Sequence, residues 1–168
     1  AASDVYKRQS KHRSAGIRKL FHDHNKRIGY TTSVQMSFLV DNHPFYLKLL
    51  AWHALIMTHS TCTLSIVEKS LKNLIHHFDL RFYKIAESLT LKQLNYLRAL
   101  AEGNQELYSR STRDTYQLGS SSNVVRIKSS LMNKEIIKIE KVDPGRTDAV
   151  FTDPIFREWL QRSYFGKA

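Results

Sequence analysis

The sequence has little of what staples or interrupts a chain. Among 168 residues there are one cysteine, Cys62, three prolines and six glycines. A lone cysteine excludes an intramolecular disulfide and any zinc site built on several thiolates, and it fits a reducing, cytoplasmic setting. So few prolines and glycines favour long helices over a turn-rich β sandwich. No apolar run approaches membrane-spanning length. The most apolar stretch, Pro44 to Met57, is interrupted by Lys48 and His53, so no membrane partner is expected.

Catalytic machinery is also missing from the sequence. No G-x-x-x-x-G-K-[ST] and no G-x-G-x-x-G occurs, and Gly166-Lys167 lacks the loop that should precede it. No apolar strand ends in Asp-Glu to hold Mg²⁺. Phosphoryl transfer needs those parts for positioning and charge neutralisation, so this chain is expected not to be an enzyme by itself. Eight histidines raise the question of a metal, but there is no H-E-x-x-H. His22 and His24 diverge on a helix, as do the adjacent His76 and His77. No metal site and no cofactor in isolation are expected. The absence of a G-x-S-x-G elbow removes the support for a hydrolase.

What is present is a foldable, basic chain. It is 42% hydrophobic and 11% aromatic, enough for a packed core. Its formal net charge is +11, and residues 7–27 hold eight Lys/Arg against one acid, Asp23. Such a balance favours nucleic acid, anionic membrane or acidic protein partners without choosing among them. Residues 1–9, AASDVYKRQ, look like translated adapter sequence and are expected to be non-native.

Spacing predicts a helix carrying Ile17, Leu20 and Phe21, broken at Gly29-Tyr30. Thr31 or Thr32 can cap the next, through Val34, Phe38 and Leu39. Asn42 can cap a third that has Pro44 in its first turn and Tyr46, Leu47, Leu50, Ala51, Ala54 and Leu55 on one face. A fourth, capped by Thr63 or Ser65, carries Val67, Leu71, Leu74 and Ile75, and another helical segment follows through Phe82 and Ile85. Residues 10–88 thus read as a helical bundle. From residue 89 the organisation changes. Thr90 and Gln93 have capping-box spacing, Gly103 is a stop, and a weaker helix is expected over about 105–116. Ser120 to Asn123 can cap a helix with Val124, Ile127 and Leu131. Ile136 to Val142 and Ala149 to Phe151 flank the turn signal Asp143-Pro-Gly145. Asp153 and Pro154 then open a last helix with Phe156, Trp159 and Leu160 on one side. The predicted fold is mainly α: a helical lid bundle, then a winged helix-turn-helix with a small β-hairpin over residues 89–168.

Four motifs carry a resemblance to a family. Asn42-His-Pro-Phe-Tyr-Leu-Lys-Leu-Leu-Ala51 resembles the lid-helix signature of the archaeal-type AAA+/STAND P-loop ATPases. Leu89-Thr-Leu-Lys-Gln93, Gly119-Ser-Ser-Ser-Asn-Val124 and Asp153-Pro-Ile-Phe-Arg-Glu-Trp-Leu160 follow in the order found there. The resemblance covers roughly residues 17–162, while the P-loop core, its Mg²⁺ acid and its sensors are missing. It implies the C-terminal lid and winged-helix regulatory region of an ATP-binding switch protein, whose partner is the P-loop core of the parent chain. It also implies that Pro44, with His43 beside it, contacts ATP once that core completes the site. The competing explanation of Pro44 is a residue that merely starts a helix.

Two other functions compete with this one. A DNA-binding winged helix would use Asn123, Arg126 and Lys128 on the third helix, with Arg146 at the wing tip. No acid lies between Ser120 and Lys134, but Glu135, Glu140, Asp143 and Asp148 put acids around the wing. A helical adaptor that only binds protein is the remaining alternative.

Overall fold

The structure is a computed structural model that describes residues 2–143 and 145–166, with side chains over 12–141, at 145 and over 147–166. Two compact units divide at Phe78/Asp79.

The first unit holds α1 (Ala2–Asp23), β1 (Arg27–Ile28), α2 (Tyr30–Leu39), α3 (Pro44–Met57), β2 (Thr61–Cys62) and α4 (Leu64–His77). Ile17, Phe21, Met36, Leu50, Ala54, Val67 and Leu71 form its core. Small residues let α1 and α2 approach: the Ser14 and Ser33 hydroxyls lie 2.6 Å apart and are buried. α2 begins two residues earlier than a Thr31 cap would place it and three earlier than a Thr32 cap. Gly29 is its N-cap, without a side-chain bond, and the Gly29 carbonyl accepts the Ser33 N–H. For α4 the hydroxyl of Thr63, rather than Ser65, accepts the Ile66 N–H. β1 and β2 pair in parallel over two residues each, too short to leave a period-2 signature in the sequence. The Lys26 ammonium donates to the Leu55 carbonyl at 2.7 Å, in the last turn of α3, where that oxygen also accepts the Thr58 N–H.

The second unit holds α5 (Asp79–Glu87), α6 (Leu91–Ala101), α7 (Arg110–Thr115), α8 (Ser121–Asn133), β3 (Ile137–Asp143), β4 (Arg146–Phe151) and α9 (Pro154–Trp159), ending in a π-helical turn over Leu160–Tyr164. The Thr90–Gln93 capping box forms in full. At the other end of α6, Gly103 takes φ +84 and its N–H bonds the Leu100 carbonyl, while Asn104 N–H reaches Ala99. This is a Schellman close, which a left-handed glycine permits without strain. The weaker helix contracts to the six residues of α7. β3 and β4 pair antiparallel, Ile137 opposite Phe151, with an irregularity between Lys141 and Asp143. Asp153 Oδ1 accepts from both Ile155 and Phe156 N–H, and Pro154 occupies the first turn of α9.

Three helices, a hairpin and a closing helix give the expected winged helix-turn-helix order. The unit boundary falls ten residues earlier than the sequence suggests, because α5 packs against α9. Its Phe82 ring meets Phe156 at 5.3 Å and Trp159 at 5.7 Å, and the Asp79 carboxylate accepts the Trp159 indole N–H at 2.9 Å.

Candidate functional site

Each unit presents one surface that the sequence singled out. In the first, α2 gives way to α3 through Asp41 and Asn42, both left-handed at φ +47 and +56. Consecutive non-glycine residues in that region are strained. The sequence made Asn42 a cap, but the N-cap position belongs to His43 and has no side-chain bond. The Asn42 amide is instead buried, and neither its oxygen nor its nitrogen has a partner. His43 Nδ1 is also buried and unpartnered. The His43 ring tilts against Tyr46 at 5.0 Å. Pro44 is exposed at the first turn of α3, followed by Phe45 at 57% exposure. Beyond them the outer side of α3 carries Trp52 and Ile56, both exposed, with the exposed Lys48 beside them.

In the second unit, Ser120 caps α8, its Oγ accepting the Asn123 N–H at 3.3 Å and lying 2.9 Å from Ser122 Oγ. The Asn123 amide nitrogen donates to the Leu118 carbonyl at 2.6 Å. It crosses Gly119, where an added Cβ would lie 3.2 Å from that nitrogen, so a glycine at φ +83 is required there. Asn123 thus closes the turn and turns its donor inward. Arg113 braces the same turn, donating to the Gly119 and Tyr108 carbonyls.

Arg126 and Lys128 do not share one face of α8. Arg126 is exposed, whereas Lys128 is half-buried. At 100° per residue the two point about 160° apart on α8. The outward face of α8 consists of Ser122, Val125, Arg126, Ser129, Met132 and Asn133, with Val125 half exposed. The side chain of Arg146 lies outside the described ones. Its backbone pairs with Asp143 at the hairpin end. On the wing, Glu140 stands opposite Asp148, and Lys138 is neutralised by Glu140 at 2.5 Å.

The sequence reading missed one polar cluster. The Tyr116 hydroxyl donates to Glu102, Arg98 Nε donates to the same carboxylate at 3.0 Å, and the Asn104 amide donates to Tyr116 Oη at 2.9 Å. The Tyr116 hydroxyl, then Arg98, holds the Glu102 carboxyl below its usual range, and the same bond pushes the Tyr116 phenol up. Four residues scattered over 98–116 leave no spacing signal. Burial raises the Cys62 thiol, so it is no activated nucleophile. Among the described residues no group of three His, Cys, Asp or Glu could hold a metal ion, and no helix is long and apolar enough to cross a membrane.

A helical unit leading into three helices, a two-stranded wing and a closing helix defines a protein built around a winged helix. Residues 80–162, just under half of the chain, match the family model of a probable winged helix domain. No curated protein and no solved structure matches the chain.

Proposed function

We propose that the chain is the lid and winged-helix regulatory region of an AAA+/STAND-type switch ATPase, non-catalytic by itself. The observation that supports this most is α3. Phe45, Leu49, Trp52 and Ile56 lie within about 60° on its outer side, opposite the buried Tyr46, Leu47, Leu50 and Ala54. Apart from Lys48 and His53 the helix is apolar on both sides, and its outer stripe is suited to being covered. The outer stripe starts beside Pro44, where the family resemblance puts the nucleotide, and the covering body would be the P-loop core. Exposed Pro44 and Phe45 offer a flat apolar surface suited to an adenine. The loop over 40–45 has no cation for the phosphates, which the core would have to hold. ATP then belongs to the joint site and not to this chain alone.

The coding sequence upstream of residue 10 tests the proposal. An in-frame P-loop with its Mg²⁺ acid is expected. In that longer protein, Trp52→Ala with Ile56→Ala should weaken ATP binding, while the present chain turns over no ATP. An upstream sequence without a P-loop, or ATP turnover by this chain, would overturn the reading. A DNA-binding winged helix is the second reading. It is favoured by Arg126, exposed and without an ion pair, on a helix free of acids from Ser121 to Asn133.

A further inference from the structure

α5 has two faces of opposite character. Phe82 and Ala86 are buried in the winged-helix unit, and Asp79 is engaged by the Trp159 indole. The other face carries Leu80, Arg81, Lys84, Ile85 and Ser88, which line an open groove of about 490 Å³. Leu80 is 72% exposed, and Ile85 lies half-buried in the same groove. Arg81 and Lys84 are exposed and form no ion pair. Glu87, at the edge of this face, is also unpaired and does not line the groove. A third cation borders the groove: the Lys134 ammonium donates to the Ser88 carbonyl at 3.4 Å.

We propose that this groove is a docking site for an acidic amphipathic segment of a partner protein. Its apolar residues would lie on Leu80 and Ile85, and its carboxylates would reach Arg81 and Lys84. Charge complementarity selects this occupant. The groove residues include two free cations and no acid, so a basic segment is repelled and an uncharged one leaves both cations without counter-charges. Apolar side chains beside the cations disfavour duplex DNA, whose phosphate backbone gives Leu80 and Ile85 nothing to bury. The inference is independent of the ATPase reading, since it needs only the winged-helix unit.

The test is fluorescence anisotropy of a labelled helical peptide with Leu along one face and Glu on its flanks, titrated with the whole chain. The same peptide with Lys for Glu is the control. Binding of the acidic peptide and not the basic one is expected. Arg81→Glu with Lys84→Glu should weaken it by about tenfold or more, as loss of two interfacial charge contacts does. The same variant should gain affinity for the basic peptide. Arg81→Ala with Lys84→Ala should give an intermediate loss, and both variants should melt as the parent does because the side chains are exposed. Equal binding of both peptides, or binding unchanged in both variants, would overturn the proposal. Duplex DNA binding that the charge reversal abolishes, without acidic-peptide binding, would assign the groove to nucleic acid instead.

Discussion

Trp159 and Tyr96 are both fully buried, yet their polar atoms fare differently. Trp159 stacks on Phe156 at 5.8 Å, meets Tyr83 edge-on at 4.9 Å and gives its indole N–H to Asp79. Trp159→Ala should therefore cost about 3–5 kcal/mol in a urea melt. A smaller loss would mean that the residue serves a surface and not the core. Tyr96 has no partner for its hydroxyl, and burial pushes its phenol upward. A desolvated and unpaired hydroxyl opposes folding, so Tyr96→Phe should stabilise by about 1 kcal/mol. Loss of stability on that change would show that the hydroxyl is bonded. Spacing placed Trp159 on a buried face with Phe156 and Leu160, because the i, i+3, i+4 pattern is local. Its bond to Asp79 was illegible, since 80 residues separate the two in sequence. Asn123 shows the converse. It reads as a polar residue free to meet a base, but the conformation of Gly119 lets its amide fold back on the Leu118 carbonyl.

At the level of elements, helix ends with a side-chain acceptor were legible. Thr90 and Asp153 cap where their spacing implies, and Ser120 is the one of the four candidates over 120–123 that caps α8, because an N-cap bond involves only residues two or three apart. Gly103, whose left-handed backbone closes α6, was also legible, whereas the start of α2 at Gly29, with no side-chain bond, was not. α5 was grouped with the preceding helices because its apolar spacing shows a buried face without showing against what. The link between α6 and α7 supplies a pH prediction. The Tyr116–Glu102 contact lowers the folded carboxyl value, so its contribution is present above the ordinary carboxyl range near ~4.3 and lost as pH falls through the lowered value. The raised Tyr116 phenol sets the other limit. The contribution holds below the ordinary phenol value near ~10 and is lost as pH rises through the raised one. Thermal melts of Tyr116→Phe and the parent should differ at neutral pH and converge below about pH 4. A gap that persists undiminished in acid would assign the effect to packing of the ring. The carboxylate is 45% exposed, so solvent screens the contact and the gap should be small.

At the scale of the whole molecule, charge is unevenly divided. Residues 79–168 contain 15 Lys/Arg and 11 Asp/Glu, a net +4, which leaves +7 on residues 1–78. The winged-helix unit, the part with a DNA-reading architecture, therefore has the weaker electrostatic pull. Within it Arg126 points outward and Lys128 lies to the side, half-buried. Val125 and Met132 put apolar surface where phosphate-binding or base-reading groups would be needed, and acids stand opposite each other on the wing. Specific readout rests on several side chains at base edges, with bidentate pairs worth about 1–3 kcal/mol each. Arg126 is the one exposed candidate on α8 with that geometry. Any DNA binding should accordingly be weak, poor in sequence preference and shallow in its salt dependence. Two or three phosphate contacts give a log–log slope of about −2 to −3. Titrations of duplex DNA at low and physiological salt, with the parent chain and with Arg126→Ala plus Lys128→Ala, measure this directly. Tight binding that survives both salt and the double substitution would place the nucleic-acid surface elsewhere on the chain. Tight, sequence-dependent binding lost on the substitution would show that one outward arginine and its serine-rich helix start suffice, and would favour the DNA-binding reading over the switch.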